Sequence, residues 1–402
     1  MSKKIFKNSA FRRKLFIIII ILIILLGTVT GIVYFNLDKV PGEGKTETEI
    51  SYIFSDNIIQ IPVTINGIPT HGIFDTGSSF CLLDEKSLDK FNVQVIPFFR
   101  SKINKTGSYR WGIIKNLEIN NFKIKNLLVN LMDFKTDSSI FKCIPSEIIL
   151  GMNLIKKANW KFNFTKHSLK IYPRNYRITD FKAENFISFF YRMNVPFTYI
   201  TINEKSHKVI VDFGFSDALM LAEDDYSGNE AIPYSNYQSY NIFGSYKNEG
   251  KALIDDFIFG NDTIPGVEIN FTSPRFSLVG IETFLKYSEV LINNAEKKIY
   301  MSGMKKSAGT KTIFFGHGFY VYKDDGKIKI SSIYKNSPAY NAGLNIGDTV
   351  LSINGIESSV LIPMDLCDFT ELSKRFFYQD TVRVTVIKNG EILTKEIVKS
   401  EF

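Results

Sequence analysis

An internal repeat constrains the fold of this chain more than any other feature of its sequence. In the first copy Asn66 precedes Asp75 by nine positions, and in the second copy Asn203 precedes Asp212 by the same interval. Short runs in which apolar and polar residues alternate precede each of these stretches, and this is the pattern of a half-buried strand. A chain that carries this pattern twice is expected to build one β unit twice.

The repeat continues downstream of each Asp. Gly151 and Gly280 each follow a short apolar run, and a tyrosine closes each segment, 21 positions later at Tyr172 and 20 positions later at Tyr300. Two matched features in the same order indicate two copies of one lobe. The two copies also open on similar segments, Ile61-Pro62-Val63-Thr64 and Val195-Pro196-Phe197-Thr198.

The first Asp opens the run Asp75-Thr76-Gly77-Ser78-Ser79. A glycine permits a tight turn, and the hydroxyl groups can hydrogen-bond a carboxylate and the nearby backbone. The run resembles the active-site loop of the pepsin and retropepsin clan (clan AA) of aspartic peptidases. In that clan each of two lobes supplies one such loop, followed later by two apolar residues and a glycine. The resemblance covers about residues 50–303 and implies two catalytic residues, Asp75 and Asp212, with loop support from Thr76, Gly77, Ser78, Gly214 and Ser216.

The chemistry that the resemblance implies explains why two carboxyl groups are needed. At a separation of about 3 Å they cannot both ionise easily, so they share one proton and their apparent pKa values move apart. The ionised group then takes a proton from a water that attacks the peptide carbonyl, and the protonated group polarises that carbonyl. No metal and no organic cofactor is required.

The second loop departs from the family pattern at Phe213, where the family has Thr or Ser. That hydroxyl braces the two loops across the lobe interface, and Phe cannot do this. Two other functions therefore remain open. One is a non-catalytic peptide-binding protein with a degenerate second lobe, and the other is a first lobe that acts after pairing with another molecule.

The N-terminus predicts a membrane anchor. Residues 15–35 are apolar and uncharged, and about 20 such residues span a bilayer as a helix. With the basic residues of 1–14 on the cytoplasmic side, we expect the body to lie outside the cytoplasm, in a periplasm or at the cell exterior. A cleaved signal peptide is the alternative, although no small-residue cleavage site is evident. Six of the eight net positive charges precede this segment, so nucleic-acid binding is not expected: Lys3, Lys4, Lys7, Arg12, Arg13 and Lys14.

The C-terminal sequence resembles a PDZ domain of the kind attached to bacterial proteases. The resemblance rests on Ser337-Pro338-Ala339, Ala342-Gly343-Leu344, Gly347-Asp348 and Ile353-Asn354-Gly355. Such a domain takes a chain end as an added strand, with its carboxylate on an apolar-Gly-apolar loop. Here the loop candidates are Gly318, Phe319, Tyr320 and Val321, facing a helix expected around 365–376.

The cysteines and histidines predict no further chemistry. Three cysteines are too few for a disulfide framework, so Cys81, Cys143 and Cys367 are expected to be small buried residues, with a Cys81–Cys143 bridge as the alternative. The four histidines are scattered and predict no metal site. Hairpins around 106–109 and 243–246 are candidates for flaps over a substrate or are plain turns.

Together these features predict a mainly β protein with two pepsin-like or retropepsin-like β lobes and a C-terminal α+β PDZ domain, preceded by one transmembrane helix. The predicted function is a membrane-anchored aspartic endopeptidase for polypeptide substrates, whose PDZ domain binds substrate or partner chain ends. The expected boundaries are 1–14 (cytoplasmic), 15–35 (membrane anchor), 36–50 (linker), 51–175 (lobe 1), 176–303 (lobe 2) and 312–402 (PDZ).

Overall fold

A computed structural model gives the fold of the chain. It describes residues 16, 18–20, 47–102, 108–135, 140–222, 232–233, 238–241, 244–272, 276–305, 315–324, 326–334 and 336–401. Phe16 and Ile18–Ile20 are helical, and the rest of the predicted anchor lies outside the described residues. Within these ranges, no helix is both long enough and apolar enough to cross a membrane.

The first lobe is an eight-stranded sheet that curls on itself, because β3 also pairs with β7. Alternating burial along its strands, with Ile59, Ile61, Val63 and Ile65 inside, follows the apolar alternation of the sequence. In sheet order the strands are β2 (Ile53–Ser55), β3 (Ile58–Ile65), β4 (Ile68–Phe74), β9 (Ile148–Leu150), β5 (Cys81–Asp84), β8 (Phe122–Met132), β7 (Ser108–Ile119) and β6 (Gln94–Lys102).

The second lobe repeats this strand order position by position, which confirms that the chain carries two copies of one β unit. The strand register corrects the matching of Ile61-Pro62 with Val195-Pro196. Phe197 pairs with Ile210 as Gln60 pairs with Ile73, so Val195 corresponds to Ile58 and the two prolines are not equivalent. The strands are β13 (Phe190–Arg192), β14 (Val195–Ile202), β15 (Lys205–Asp212), β21 (Ser277–Gly280), β16 (Leu219–Ala222), β20 (Asp262–Thr272), β19 (Gly244–Phe259) and β17 (Ile232–Pro233), with β18 (Gln238–Asn241) also on β19.

A third sheet joins the lobes, and each lobe contributes three of its six strands. The junction is the pair β10–β22, where Trp160 lies opposite Ile292. One apolar core runs through both lobes, so they fold as one packed body. In order the strands are β1 (Thr48–Ser51), β11 (Ser168–Pro173), β10 (Ala158–Asn163), β22 (Tyr287–Asn293), β23 (Lys298–Met304) and β12 (Asn185–Ser188).

Short helices lie after the first Asp loop, before β9, and after Gly151 and Gly280. The helices of the two lobes are η1 (Glu85–Ser87), α1 (Leu88–Phe91), η2 (Ile140–Cys143), α2 (Met152–Ile155) and α3 (Ile281–Phe284).

The C-terminal residues form a separate α+β unit with its own core. Its long helix begins after Asp365, whose carboxylate accepts the N–H of Asp368 as an N-cap. The strands are β24 (Phe315–Gly316), β25 (Phe319–Asp324), β26 (Lys327–Ile333), β27 (Thr349–Ile353), β28 (Ile356–Glu357), β29 (Thr381–Lys388), β30 (Glu391–Val398) and β31 (Ser400–Glu401). The helices are α4 (Pro338–Asn341), α5 (Ser358–Leu361) and α6 (Leu366–Tyr378).

A disulfide bond links this unit to the first lobe, and it overturns both predictions for Cys143 and the burial prediction for Cys367. Cys143 of η2 is bonded to Cys367 of α6, with the Cα atoms 5.2 Å apart, within the usual range for a disulfide. The partners are 224 residues apart, so no local spacing signals the pairing. Cys81 takes no part in this disulfide and is buried, as expected.

Digestion of the unreduced protein is therefore expected to yield one cross-linked pair of peptides that contain Cys143 and Cys367. The thiol of Cys81 should react with an alkylating reagent after unfolding, because it is fully buried in the folded chain. Mass spectrometry of the digest reads both outcomes. A Cys81–Cys143 linkage, or three alkylated thiols without reduction, would contradict the structure.

Candidate active site between the lobes

Each predicted Asp stands at the end of a strand, beside the glycine that the repeat predicts. In lobe 1 the strand β4 ends at Phe74, which lies opposite Leu150 of the parallel strand β9. In lobe 2 Asp212 itself lies opposite Gly280 of β21. Both glycines are closely packed: a Cβ on Gly151 would lie 2.4 Å from the carbonyl carbon of Phe80, so a larger residue does not fit there.

The two aspartates meet across the lobe interface, and their carboxyl groups are hydrogen-bonded to each other. Each carboxyl group also rests on the glycine of the opposite loop. A Cβ on Gly77 would lie 2.3 Å from Oδ2 of Asp212, and a Cβ on Gly214 would lie 2.6 Å from Cγ of Asp75. The absence of a side chain at these two glycines therefore lets the carboxyl groups approach.

Backbone N–H groups hold one oxygen of each carboxyl group. Oδ1 of Asp75 accepts from Gly77 (2.8 Å) and from Ser78 (3.0 Å), and Oδ1 of Asp212 accepts from Gly214 (2.9 Å). The hydroxyl of Ser78 closes its own loop by donating to the carbonyl of Phe80. These predicted support residues are thus in place around the carboxyl groups.

Ser216, the remaining predicted support residue, behaves differently. Its hydroxyl donates to Asp217 at 3.5 Å rather than to Asp212. Its carbonyl accepts the side-chain amide of Asn57, a residue of the other lobe.

Thr76 locks the two loops together from the first lobe. Its buried hydroxyl donates to the carbonyl of Val211 at 2.7 Å and accepts the N–H of Phe213 at 2.9 Å. One side chain therefore bridges to both residues that flank Asp212.

Phe213 stands where the resembled family has a hydrogen-bonding residue, and the structure places its ring in the apolar core. The ring is fully buried and packs against Phe284 at 4.6 Å, Phe162 at 5.6 Å and Phe74 at 5.9 Å between centroids. Burying a Phe side chain stabilises a fold by about 1.5–3 kcal/mol, and a hydrogen bond by about 1 kcal/mol. Packing thus offsets the hydroxyl contact that this residue cannot make.

Burial raises the pKa of both carboxyl groups above the ordinary range of Asp. For Asp75 the charge of Asp212 and their hydrogen bond raise the pKa further, and N–H donors lower it in part. For Asp212 burial again has the largest effect, while the hydrogen bond from Asp75 and the neighbouring N–H groups lower the pKa. Two such groups titrate as a coupled pair that shares a proton.

The predicted peptide-binding elements of the C-terminal unit are also adjacent. Phe319, Tyr320 and Val321 open the edge strand β25, after Gly318. Phe377 of α6 packs on Phe319 at 5.3 Å between ring centroids, so the helix lies beside that strand. An edge strand next to a helix is the arrangement that accepts an extended chain.

This unit faces the second lobe close to its Asp loop. The hydroxyl of Tyr334 donates to Glu268 at 3.1 Å. Burial raises the pKa of Tyr320, and the charge of Asp217 raises it further, so that phenol lies near the loop.

Comparison with known families agrees with this division of the chain. Residues 61–154 match the family described as Aspartyl protease, and residues 316–398 match the family described as PDZ domain. The chain thus contains a retropepsin-like aspartyl protease domain and a PDZ domain. The first match includes Asp75 and Gly151, and the second lobe lies outside it. None of the curated proteins matches the chain.

Sequence reasoning missed two asparagines that contact the loops, Asn57 and Asn194. Each stands 18 positions before an Asp of the pair. Comparing the two copies of the repeat upstream of Asn66 and Asn203 would have shown that the two asparagines occupy equivalent positions.

The raised pKa values predict how a charge-removing variant behaves. A raised pKa means that the folded state binds its proton more tightly than the unfolded state, so stability falls as the pH rises from about 4 toward the folded pKa. Asp212→Asn removes one of the two groups that cause this loss and the charge that raises the pKa of the other. Its midpoint of thermal unfolding should exceed that of the unaltered protein near pH 7 and approach it near pH 3.

Asp89→Asn serves as the control, because Asp89 is exposed on the surface. It should show no such difference between the two pH values. A lower midpoint for Asp212→Asn near pH 7 would mean that the buried pair does not strain the fold when it ionises.

Proposed function

We propose that this protein is a membrane-anchored aspartic endopeptidase whose two catalytic carboxyl groups come from the two lobes of one chain. The observation that carries the proposal is the crossed contact of Asp75 on Gly214 and Asp212 on Gly77. This contact, together with the mutual hydrogen bond, supports a pair that shares one proton.

In the proposed mechanism the ionised member of the pair takes a proton from a water, and that water attacks the carbonyl carbon of the scissile bond. The protonated member polarises the carbonyl oxygen and then helps to protonate the leaving amine. The N–H groups of Gly77, Ser78 and Gly214 hold the carboxyl groups in place through the cycle. The mechanism calls for no metal and no organic cofactor.

A polypeptide substrate would lie between the carboxyl groups and two hairpins. These are β6–β7, whose strands pair as far as Lys102 opposite Ser108, and β18–β19, which pair as far as Asn241 opposite Gly244. Of the predicted flaps at 106–109 and 243–246, positions 106, 107 and 243 lie outside the described residues. As part of the proposal, these hairpins close over the substrate and exclude water.

The proposed location is outside the cytoplasm, with the N-terminus inside. The basic cluster before the apolar segment at 15–35 supports this orientation. The bond between Cys143 and Cys367 adds independent support, because disulfides persist in oxidising compartments.

Asp75→Asn and Asp212→Asn are each expected to abolish cleavage of an unfolded protein substrate, because a single carboxyl group cannot supply both the base and the acid. The test measures peptide products with the purified chain, and gel filtration of the same sample establishes whether it is a monomer. The matched control is Asp89→Asn, which should retain full activity.

The alternative functions predict other outcomes. Full activity of Asp212→Asn would place the second carboxyl group elsewhere, for example in another molecule. Peptide binding without turnover at any pH would favour the non-catalytic peptide-binding protein, in which Phe213 marks a degenerate second lobe.

The anchor predicts where the full-length chain fractionates. It should pellet with membranes and be released by detergent but not by high salt, since about 20 apolar residues partition into the bilayer. A variant without residues 1–35 should stay in the soluble fraction. If the chain expressed with residues 1–35 instead yields a soluble product whose N-terminus begins after residue 35, the segment is a cleaved signal.

A further inference from the structure

Each Asp loop is held by an asparagine that comes from the opposite lobe. The side-chain amide of Asn57 donates to the carbonyl of Ser216 at 3.0 Å, and that of Asn194 donates to the carbonyl of Ser79. Each of these serines lies four positions after an Asp of the pair. We call these two contacts the crossed clamps, and each runs from the first hairpin of one lobe to the Asp loop of the other.

Both asparagines lie in the two-residue turn of their hairpin. Each turn has two residues with positive φ, Asp56 (53°) and Asn57 (57°) in lobe 1, and Met193 (52°) and Asn194 (64°) in lobe 2. This conformation costs most residues about 1–2 kcal/mol, and Asn tolerates it. Two-residue hairpin turns require positive φ at both residues, and the turn of Asn203 and Glu204 shows the same conformation.

The carbonyl of Met193 accepts the hydroxyl of Ser79 at 2.6 Å. That turn thus contacts Ser79 through two groups, the carbonyl of Met193 and the amide of Asn194.

The two clamps are braced differently. Lys156 follows α2 and donates to the amide oxygen of Asn194 at 2.6 Å, which fixes the clamp on the Asp75 loop. The equivalent position after α3 is Leu285, an apolar residue that cannot make this contact. The clamp on the Asp212 loop therefore has no counterpart of this brace at the equivalent position.

A lysine of the PDZ domain is placed to supply that brace. Lys374 of α6 forms an ion pair with Asp56, the residue next to Asn57 in the turn. The same helix is bonded to the first lobe through Cys367, seven residues earlier. One helix of the PDZ domain thus reaches the turn that holds the loop of Asp212.

We propose that Asn57 and Asn194 are positioning residues for the carboxyl pair, and that Lys374 completes the clamp on the Asp212 loop. This proposal rests on the proposed peptidase function. The PDZ domain then does more than hold chain ends: through Lys374, Asp56 and Asn57 it sets where Asp212 lies relative to Asp75.

The first test removes the amide and keeps the backbone. Asn57→Gly preserves the positive φ that Gly adopts freely and deletes the donor. It should lower kcat about tenfold and change KM less than about twofold, because a displaced Asp212 weakens transition-state stabilisation more than binding. Asn120→Gly is the matched control, since Asn120 also has a positive φ (51°) but lies in a turn away from the loops.

The pH profile of kcat separates positioning from a general loss of structure. When the loops loosen, the two carboxyl groups interact less and their apparent pKa values move toward each other. The bell-shaped profile should therefore narrow from both sides in Asn57→Gly and in Lys374→Met. An unchanged width with a lower kcat would overturn the positioning role.

A double-mutant cycle tests the link through the PDZ domain. Lys374→Met combined with Asn57→Gly should cost little more than Asn57→Gly alone, because both act on one clamp. When Lys374→Met is combined with Asn194→Gly, the fold-losses in kcat of the two single variants should multiply, because they act on different clamps. Arg375→Ala is the control on the same helix, as its side chain is exposed and pairs within the helix with Glu371. Equal behaviour of Lys374→Met and Arg375→Ala would overturn the link.

Hydrogen exchange decides the question without relying on activity. Amides of 213–218 should exchange faster in Asn57→Gly and Lys374→Met than in the two controls, in variants that unfold at similar temperatures. If the unaltered chain cleaves nothing, the peptidase proposal fails, while the exchange rates still decide for or against the clamp. Equal exchange in all four variants would overturn it.

Discussion

Two carboxyl groups that repel each other once both are ionised lie in contact at the centre of this molecule, and the structure around them depends on holding them there. Burial and mutual charge raise their pKa values, so the pair favours a shared proton. The two carboxyl groups can come into contact because Gly77 and Gly214 carry no side chain where the opposite carboxyl group lies. The loops are fixed by Thr76, whose single hydroxyl bridges to the second lobe on both sides of Asp212.

The two lobes share a strand order but differ in how they secure their loops. The first lobe retains the Asp-Thr-Gly run and a lysine brace, Lys156, at the end of its short helix. The second lobe has Phe213 in an aromatic core and Leu285 where that lysine would stand. In this account the more divergent loop is also the one that the PDZ domain helps to position, through Lys374. The contact from the PDZ domain then replaces a brace that the second lobe has lost.

Much of this organisation was readable from the sequence because it is periodic or local. The nine-residue spacing from Asn203 identified Asp212 as the partner of Asp75, and the apolar run before Gly280 predicted the strand beside it. The PDZ helix and loop followed from a dense local motif, and the family comparison agrees with it.

The features that sequence reasoning missed depend on contacts between distant segments. The bond from Cys143 to Cys367 joins positions that share no pattern, and a shared proline suggested a register that hydrogen bonding contradicts. The contact of Asn57 with Ser216 spans 159 residues and becomes visible when the fold brings the hairpin to the loop. Phe213 was read as a lost hydrogen bond, whereas its packing on Phe284 gives it a structural role.

The central claim is that one chain supplies both catalytic carboxyl groups. A crystal structure of the monomeric chain with a statine-type transition-state mimic tests it most directly, since the hydroxyl of such a mimic occupies the place of the attacking water. The account predicts that this hydroxyl lies within hydrogen-bonding distance of both Asp75 and Asp212 of the same molecule. A hydroxyl bound by Asp75 alone, or by Asp75 and a carboxyl group of a second molecule, would contradict it.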